Sequence, residues 1–425
     1  MFESLINAFR APDIRRRVLF VLGILVVFRL LAQVPVPGVD RTALADFFAG
    51  NQLFGLLDLF SGGGLSNFSV VGLGVNPYIN ASIIIQLMTG VIPALTALSR
   101  EGEYGRNKIN QYTRYLTVPL AMLQAYGFLA LLNSQRILTG RFDLASFETV
   151  TQILTLTAGS ILLMWLGELI TEKGIGNGIS FIIFAGIVSR VPVTIQRFLE
   201  SPDWASAIIF AVLGFAAVAV IIYIQEGQRR IPIQYASRVR GRRMYQGGST
   251  FLPLRVNQAG VIPIIFAVSI LLFPSQIAQY FTTSQVGLVR DAAQAIVAFF
   301  QNQFIYGLLY FLLTVGFTYF YTAFTFKPDE TAEQLRKNGG FIPGIRPGRP
   351  TQDYLARIVQ RITIAGAFFL GAVAVAPFVV SAILPGLGGL SLGGTSLLIV
   401  VSVVVETMKQ VEAQLMMRNY EGFIR

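Results

Sequence analysis

Uncharged apolar runs such as VLFVLGILVVF (18–28), AIIFAVLGFAAVAVIIYI (207–224) and TSLLIVVSVVV (395–405) recur from one end of the chain to the other. About 20 apolar residues cover the hydrocarbon core of a bilayer. In lipid every backbone amide must be satisfied within the spanning structure, so such runs fold as helices. Only 13% of the 425 residues are charged, against about 25% in ordinary soluble domains. The chain therefore reads as an all-α polytopic membrane protein. Ten windows qualify as transmembrane helices, near 18–34, 77–93, 116–133, 152–170, 179–194, 205–224, 259–279, 303–325, 358–378 and 395–414. The first follows RRR (15–17) but contains Arg29 and leads into PVPG (35–38), not a small-residue cleavage site. It reads as a span and not as a removable signal.

Charge sets the orientation. With the amino terminus inside, and with Arg190 counted outside and Arg361 and Lys409 inside at the ends of their spans, 26 of the 33 Lys and Arg fall on the inside, six outside, and Arg29 within the first span. The opposite orientation breaks the positive-inside bias. Ten spans then return the carboxyl terminus to the cytoplasm, and with no organelle-targeting leader read before the first span, a bacterial plasma (inner) membrane is the expected location. Two inside loops, 225–258 and 326–357, are long and basic. In EGQRRIPIQYASRVRGRRMYQGG (226–248) arginines alternate with apolar and aromatic residues, as in a structured finger that docks on something acidic. Ribosomal RNA, an acidic protein face and anionic lipid all suit it. The plainer reading is that inside loops are basic for topology alone.

Much chemistry is excluded. With no histidine and no cysteine, the chain lacks imidazole bases, thiol nucleophiles, disulfides and the usual zinc ligands. GGG (62–64) has no following Lys-Ser or Lys-Thr, and GIGNGIS (174–180) has no strand before it. Neither is a nucleotide loop. No enzyme activity, catalytic residue, cofactor or metal is expected. The ionisable groups at or near spans are Arg29, Glu168 and Glu406. Glu168 belongs near the inner interface. Glu406 is either a proton relay or a snorkelling or paired charge.

One segment stands apart. SGGGLSNFSVVGLGVNP (61–77) is uncharged and apolar in leaning, yet too short and glycine-rich to cross a bilayer. Such backbone is tolerated at membrane depth only inside protein or in a wet cavity. An ordinary external loop is the alternative, though it would normally be more polar.

Long motifs carry a family resemblance. FSGGGLSNFSVVGLGVNPYINASIIIQLMTG (60–90), EGEYGRNKINQYTRY (101–115), MWLGELITEKGIGNGISFIIFAGIV (164–188), RVNQAGVIPIIFA (255–267), GGFIPGIRPG (339–348) and GGTSLLIVV (393–401) resemble the SecY family, in its order and over nearly the whole chain. These are central subunits of bacterial protein-conducting channels. The resemblance implies two inverted pseudo-symmetric halves of five spans, here 1–200 and 201–425. It implies a re-entrant plug near 61–74, with Gly62, Gly63 and Gly64 allowing sharp re-entry and Leu65, Phe68, Val70 and Val71 touching the pore wall.

By the same motifs, a pore ring falls on Val75, Ile79, Ile179, Ile183, Ile265 and Ile399. Aliphatic side chains there would form a dewetting constriction. Valine at the first position is smaller than a ring residue would ideally be, and isoleucine is common in any span. A lateral gate is implied between the second and seventh spans, carrying Asn80, Ile83, Gln86, Leu87, Thr89, Asn257, Gln258 and Ile262. These residues could equally pack against neighbouring spans. Arg242, Arg243 and Arg346 match positions that engage the ribosome or the SecA motor ATPase. The implied partners also include the small membrane subunits SecE and SecG, secretory and membrane protein substrates, and the lipid bilayer. A secondary transporter with inverted repeats is the alternative function, and a pore-free insertase scaffold a third.

Overall fold

A computed structural model of the chain describes residues 11–50, 58, 61–140, 142–143, 146–192, 196, 204–235, 238–240, 243–245, 248–282, 286–383 and 394–421. The helices are α1 (Pro12–Leu31), α2 (Arg41–Gly50), α3 (Asn76–Val91), α4 (Pro93–Ser99), α5 (Glu103–Ser134), α6 (Phe147–Lys173), α7 (Gly178–Val188), α8 (Trp204–Glu226), α9 (Ile262–Phe281), α10 (Gly287–Gln301), α11 (Gln303–Thr325), α12 (Pro328–Lys337), α13 (Arg349–Ile383) and α14 (Gly394–Glu421). Each of the ten windows read from the sequence falls on one of them. Among the described residues, Glu103–Ser134, Phe147–Lys173, Ile262–Gln279, Gln303–Lys337 and Arg349–Val380 are long and apolar enough to cross a membrane. The pair α3–α4, bent by 103°, makes a sixth.

Local chemistry sets the element ends. Proline sits in the first turn of α1, α3 and α4, where its missing N–H costs nothing. Ile92, held extended before Pro93, breaks α3 from α4. Asn177 caps α7 by accepting the Ser180 amide at 3.2 Å. Asp40 precedes α2 and accepts from the Thr42 hydroxyl at 2.6 Å and from two amides. Those bonds, the hydroxyl's first, hold its carboxyl below the usual range.

The described residues form two compact units. The first comprises Met1–Ala205, Val268–Tyr306 and Ile399–Arg425. Within it α1 packs on α6 and α7, α5 on α3 and α6, and α6 on α7. On α1, Ile14, Val21, Ile24 and Phe28 are buried, while Leu19, Leu22, Val26 and Leu30 are exposed. In water that outer face would be costly; in lipid it is ordinary.

The second unit, Ser206–Ala267 with Gly307–Leu398, adds a small sheet to an otherwise helical chain. Strand β1 (Gln228–Tyr235) pairs antiparallel with β4 (Ser249–Arg255), Gln228 opposite Arg255 and Gln234 opposite Ser249. On its other edge β5 (Gly340–Phe341) reaches only Gln234 and Tyr235. Pro232 thus sits where β5 does not extend, as a strand proline requires. Between them, β2 (Arg238–Arg240) and β3 (Arg243–Tyr245) pair as a second ribbon, Val239 opposite Met244. The basic loop is thus built around β-ribbon, which agrees with the finger expected from its alternating pattern. Ile231, Leu254, Ile342, Leu355, Ile358 and Val359 form one apolar cluster between sheet and α13.

Candidate plug, pore ring and gate

Residues 61–75 are a succession of tight turns packed among helices of the first unit. Gly62 and Gly63 take left-handed backbone, φ +67° and +84°, and make the sharp turn that a β-carbon would oppose. Backbone groups bond locally, Ser69 N–H to Gly64 O at 2.8 Å and Phe68 N–H to Leu65 O at 3.1 Å. Two further bonds tie the segment to the chain leaving α1, from Val36 N–H to Phe68 O at 2.8 Å and from Val70 N–H to Val34 O at 3.0 Å. A non-helical element can sit among spans only when its amides are satisfied in this way.

Leu65, Phe68 and Val71 are buried and Val70 half-buried. Phe68 is left-handed with φ +46°, a conformation costing about 1–3 kcal/mol for such a side chain. Its ring is fully buried, 6.2 Å from that of Phe128 on α5, and this packing maintains the strained backbone. Gly62 lies against Phe28 of α1 and Gly186 of α7, and the Val70 carbonyl lies against Gly159 of α6. Four helices thus bear on the segment.

Its root is held by charge. Arg29 of α1 donates from Nη1 to Gly62 O at 2.6 Å. The buried carboxylate of Asp58 pairs with Arg190, in the turn that ends α7. Asp58 Oδ1 also accepts from the Ser66 amide at 2.9 Å and the Ser61 hydroxyl at 3.2 Å, while Ser61 Oγ accepts the Leu65 amide at 3.0 Å. Sequence reasoning noted Arg29 but gave it no task, and missed Asp58, Arg190 and Gly159. An ionisable residue inside a span was the one available signal.

Of the ring candidates, Val75, Ile79, Ile183 and Ile399 are buried in the first unit and Ile265 in the second. Val75 is the N-cap of α3, and its carbonyl accepts the Ile79 amide at 3.0 Å, so the two still share one turn. Ile179 is half-buried, with its Cδ1 lying over Gly167 of α6. Of the gate candidates on α3, Ile83 and Thr89 are buried, and Asn80, Gln86 and Leu87 are half-buried. The Thr89 hydroxyl bonds back to Ile85 O at 2.7 Å within its own helix, and Gln86 Nε2 reaches Ser82 Oγ at 3.2 Å. Asn257 donates to Gly260 O at 3.0 Å just before α9, with Gln258 and Ile262 half-buried beside it. Gln86 Oε1 and Asn257 Oδ1 are buried atoms with no hydrogen-bond partner among the described residues.

In the loops, Arg346 is exposed, and its carbonyl accepts the Thr351 hydroxyl at 2.9 Å. It borders an open cleft of about 410 Å³ with Gly344, Ile345, Pro350, Asp353, Tyr354 and Arg357. Arg243 begins β3, and Arg242 lies outside the described residues. Glu168 pairs with Arg114 of α5 at 2.7 Å, and Glu406 is exposed on α14.

A helical polytopic membrane protein that packs a glycine-rich, non-spanning segment against four of its helices is the class defined by these features. The sequence pattern of the SecY family matches residues 69–408. Relatives named protein translocase subunit SecY are 45% identical in Streptomyces coelicolor and 46% in Mycobacterium leprae, each alignment covering both chains completely. The chain belongs to the SecY family. Among solved structures, one described as a protein conducting channel superposes with a TM-score of 0.68 at 18% identity, covering 93% of this chain and 91% of its own. A second, whose description concerns the SecY plug domain and the closed channel, gives 0.67 at 18% over the same shares. Sec61 from the canine ribosome-channel complex gives 0.64 at 17%, again over 93% and 91%.

Proposed function

We infer that the chain forms a protein-conducting channel that passes unfolded secretory polypeptides across a membrane and releases apolar segments sideways into lipid. The observation that carries this is the stopper: a satisfied, uncharged, non-spanning segment seated among helices. A secondary carrier would instead be marked by a charged binding pair at mid-membrane. The translocase relatives support the same reading. The ring residues implied by the family motifs, Val75, Ile79, Ile179, Ile183, Ile265 and Ile399, would supply an elastic waist that closes around a passing chain and hinders ions.

Sideways release works by partitioning. Each Leu or Ile in a nascent segment favours lipid by a few tenths of a kcal/mol, while each Asp, Lys or Arg at the centre costs about 2.5–3.5 kcal/mol. The gate runs between α3 and α9. Helix–helix hydrogen bonds in membranes average about 0.6 kcal/mol, so a polar seam there would compete only weakly with an arriving segment.

The halves 1–200 and 201–425 form the inverted repeat, and both termini face the cytoplasm of a bacterial inner membrane. Arg243 on its ribbon, Arg346 on its turn and Arg242 dock the ribosome or SecA, with SecE and SecG alongside. The ribosome-channel complex that contains canine Sec61 supports the ribosome as a partner. Deleting residues 61–70 tests the stopper: planar-bilayer recordings should show a resting ion leak absent from the intact chain. A variant that loses transport and stays electrically tight contradicts it.

A further inference from the structure

We propose that Arg29 and Arg190 form a two-point latch on the root of the stopper, and that the Asp58–Arg190 pair sets how much of the time the resting channel stays shut. This rests on the stopper reading above and names the groups that regulate it. From residue 59 to residue 99 the sequence has no charge at all. Whatever electrostatic hold the stopper has must therefore enter from flanking residues, and the structure concentrates it at one end. Asp58 is buried, and both carboxylate oxygens are engaged, Oδ2 by Arg190 and Oδ1 by Ser61 and Ser66. Arg29 fixes the next turn through Gly62 O.

An ionisable group inside a span is costly and marks a function by default, and Arg29 is one. The two guanidinium groups arrive from different helices, α1 and the end of α7, and converge within a few residues of each other's targets. Beyond the two backbone bonds to Val34 and Val36, the remaining side-chain contacts, through Leu65, Phe68 and Val71, are apolar and non-directional. An incoming segment can replace those contacts with its own apolar side chains, but it cannot replace the guanidinium that partners the buried Asp58 carboxylate. The latch therefore gives the stopper a defined closed seat, and the apolar part lets it leave. Removing Arg190 leaves the buried Asp58 carboxylate uncompensated, and removing the Asp58 charge releases the segment from the half-buried Arg190, so each single substitution favours the displaced state.

The test uses the full chain, purified with its membrane partners and recorded in planar bilayers, with the 61–70 deletion as the leaking reference. Asp58→Asn retains an oxygen for the Ser66 amide but loses the charge, and Arg190→Gln removes the other side. Each should raise the resting open fraction about tenfold or more. The double variant should rise no further than the singles, and Arg190→Lys should stay close to wild type. Coupling and charge rescue separate a latch from general loosening. Singles as tight as wild type beside a leaking deletion overturn the latch alone, as do single effects that simply multiply in the double variant. A tight deletion variant overturns the stopper reading, and the latch with it.

Discussion

Gly159 shows how much one missing methyl can decide. It lies on α6 opposite the Val70 carbonyl, and a β-carbon there would occupy the carbonyl's own position. Overpacking of this kind costs about 1–3 kcal/mol. Backbone cannot yield as a flexible side chain would, so the stopper must shift. Gly159→Ala should raise resting conductance without lowering membrane yield; an electrically tight variant would show that the contact is slack. Arg346 makes the opposite case, an exposed side chain on a fixed turn. Arg346→Glu should impair motor-driven export from inverted vesicles while the protein remains inserted, and normal export would remove Arg346 from the docking surface. Leu65, Phe68, Val70 and Val71 were named only through the family motifs; Leu65, Phe68 and Val71 are buried and Val70 half-buried. Gly159 was not legible, since a glycine in a span has no pattern until its neighbour is known. Asp58 and Arg190 were hidden for a related reason: no helical or strand period connects them.

At the scale of elements, apolar runs of bilayer length fixed the spans, and each expected window became a helix. The short helices α2, α4, α10 and α12 escaped notice because none carries a run long enough to span. The loop 225–258 was legible as structured, because arginine alternating with apolar residues has the two-residue period of a strand. Strand β5 was not, since two residues paired with Gln234 and Tyr235 across the chain leave no local signature. Leu355 is fully buried where α13 meets this sheet, among Ile231, Leu254 and Ile342. Leu355→Ala should cost about 2–5 kcal/mol and loosen the turn bearing Arg346. Limited proteolysis should then cut the 340–348 segment faster while resting conductance stays unchanged. Equal cleavage rates would mean that the sheet does not hold the turn.

For the whole molecule, composition gave the membrane class, and the motif order gave the family. The ring could not be found by composition, because buried isoleucine is the rule in any bundle of spans. Only the motif frame distinguishes Ile79, Ile183 and Ile265 from dozens of similar residues. The account makes those residues the waist through which a polypeptide passes, and this can be tested without background because the chain has no cysteine. Single cysteines at Ile79, Ile183 and Ile265 would be paired with a stalled secretory polypeptide carrying one cysteine at stepped positions, and disulfide crosslinking measured. Crosslinks at all three sites, peaking at the same few substrate positions, are the result the account predicts. Crosslinks absent from all three, with the stalled chain still engaged, would contradict it.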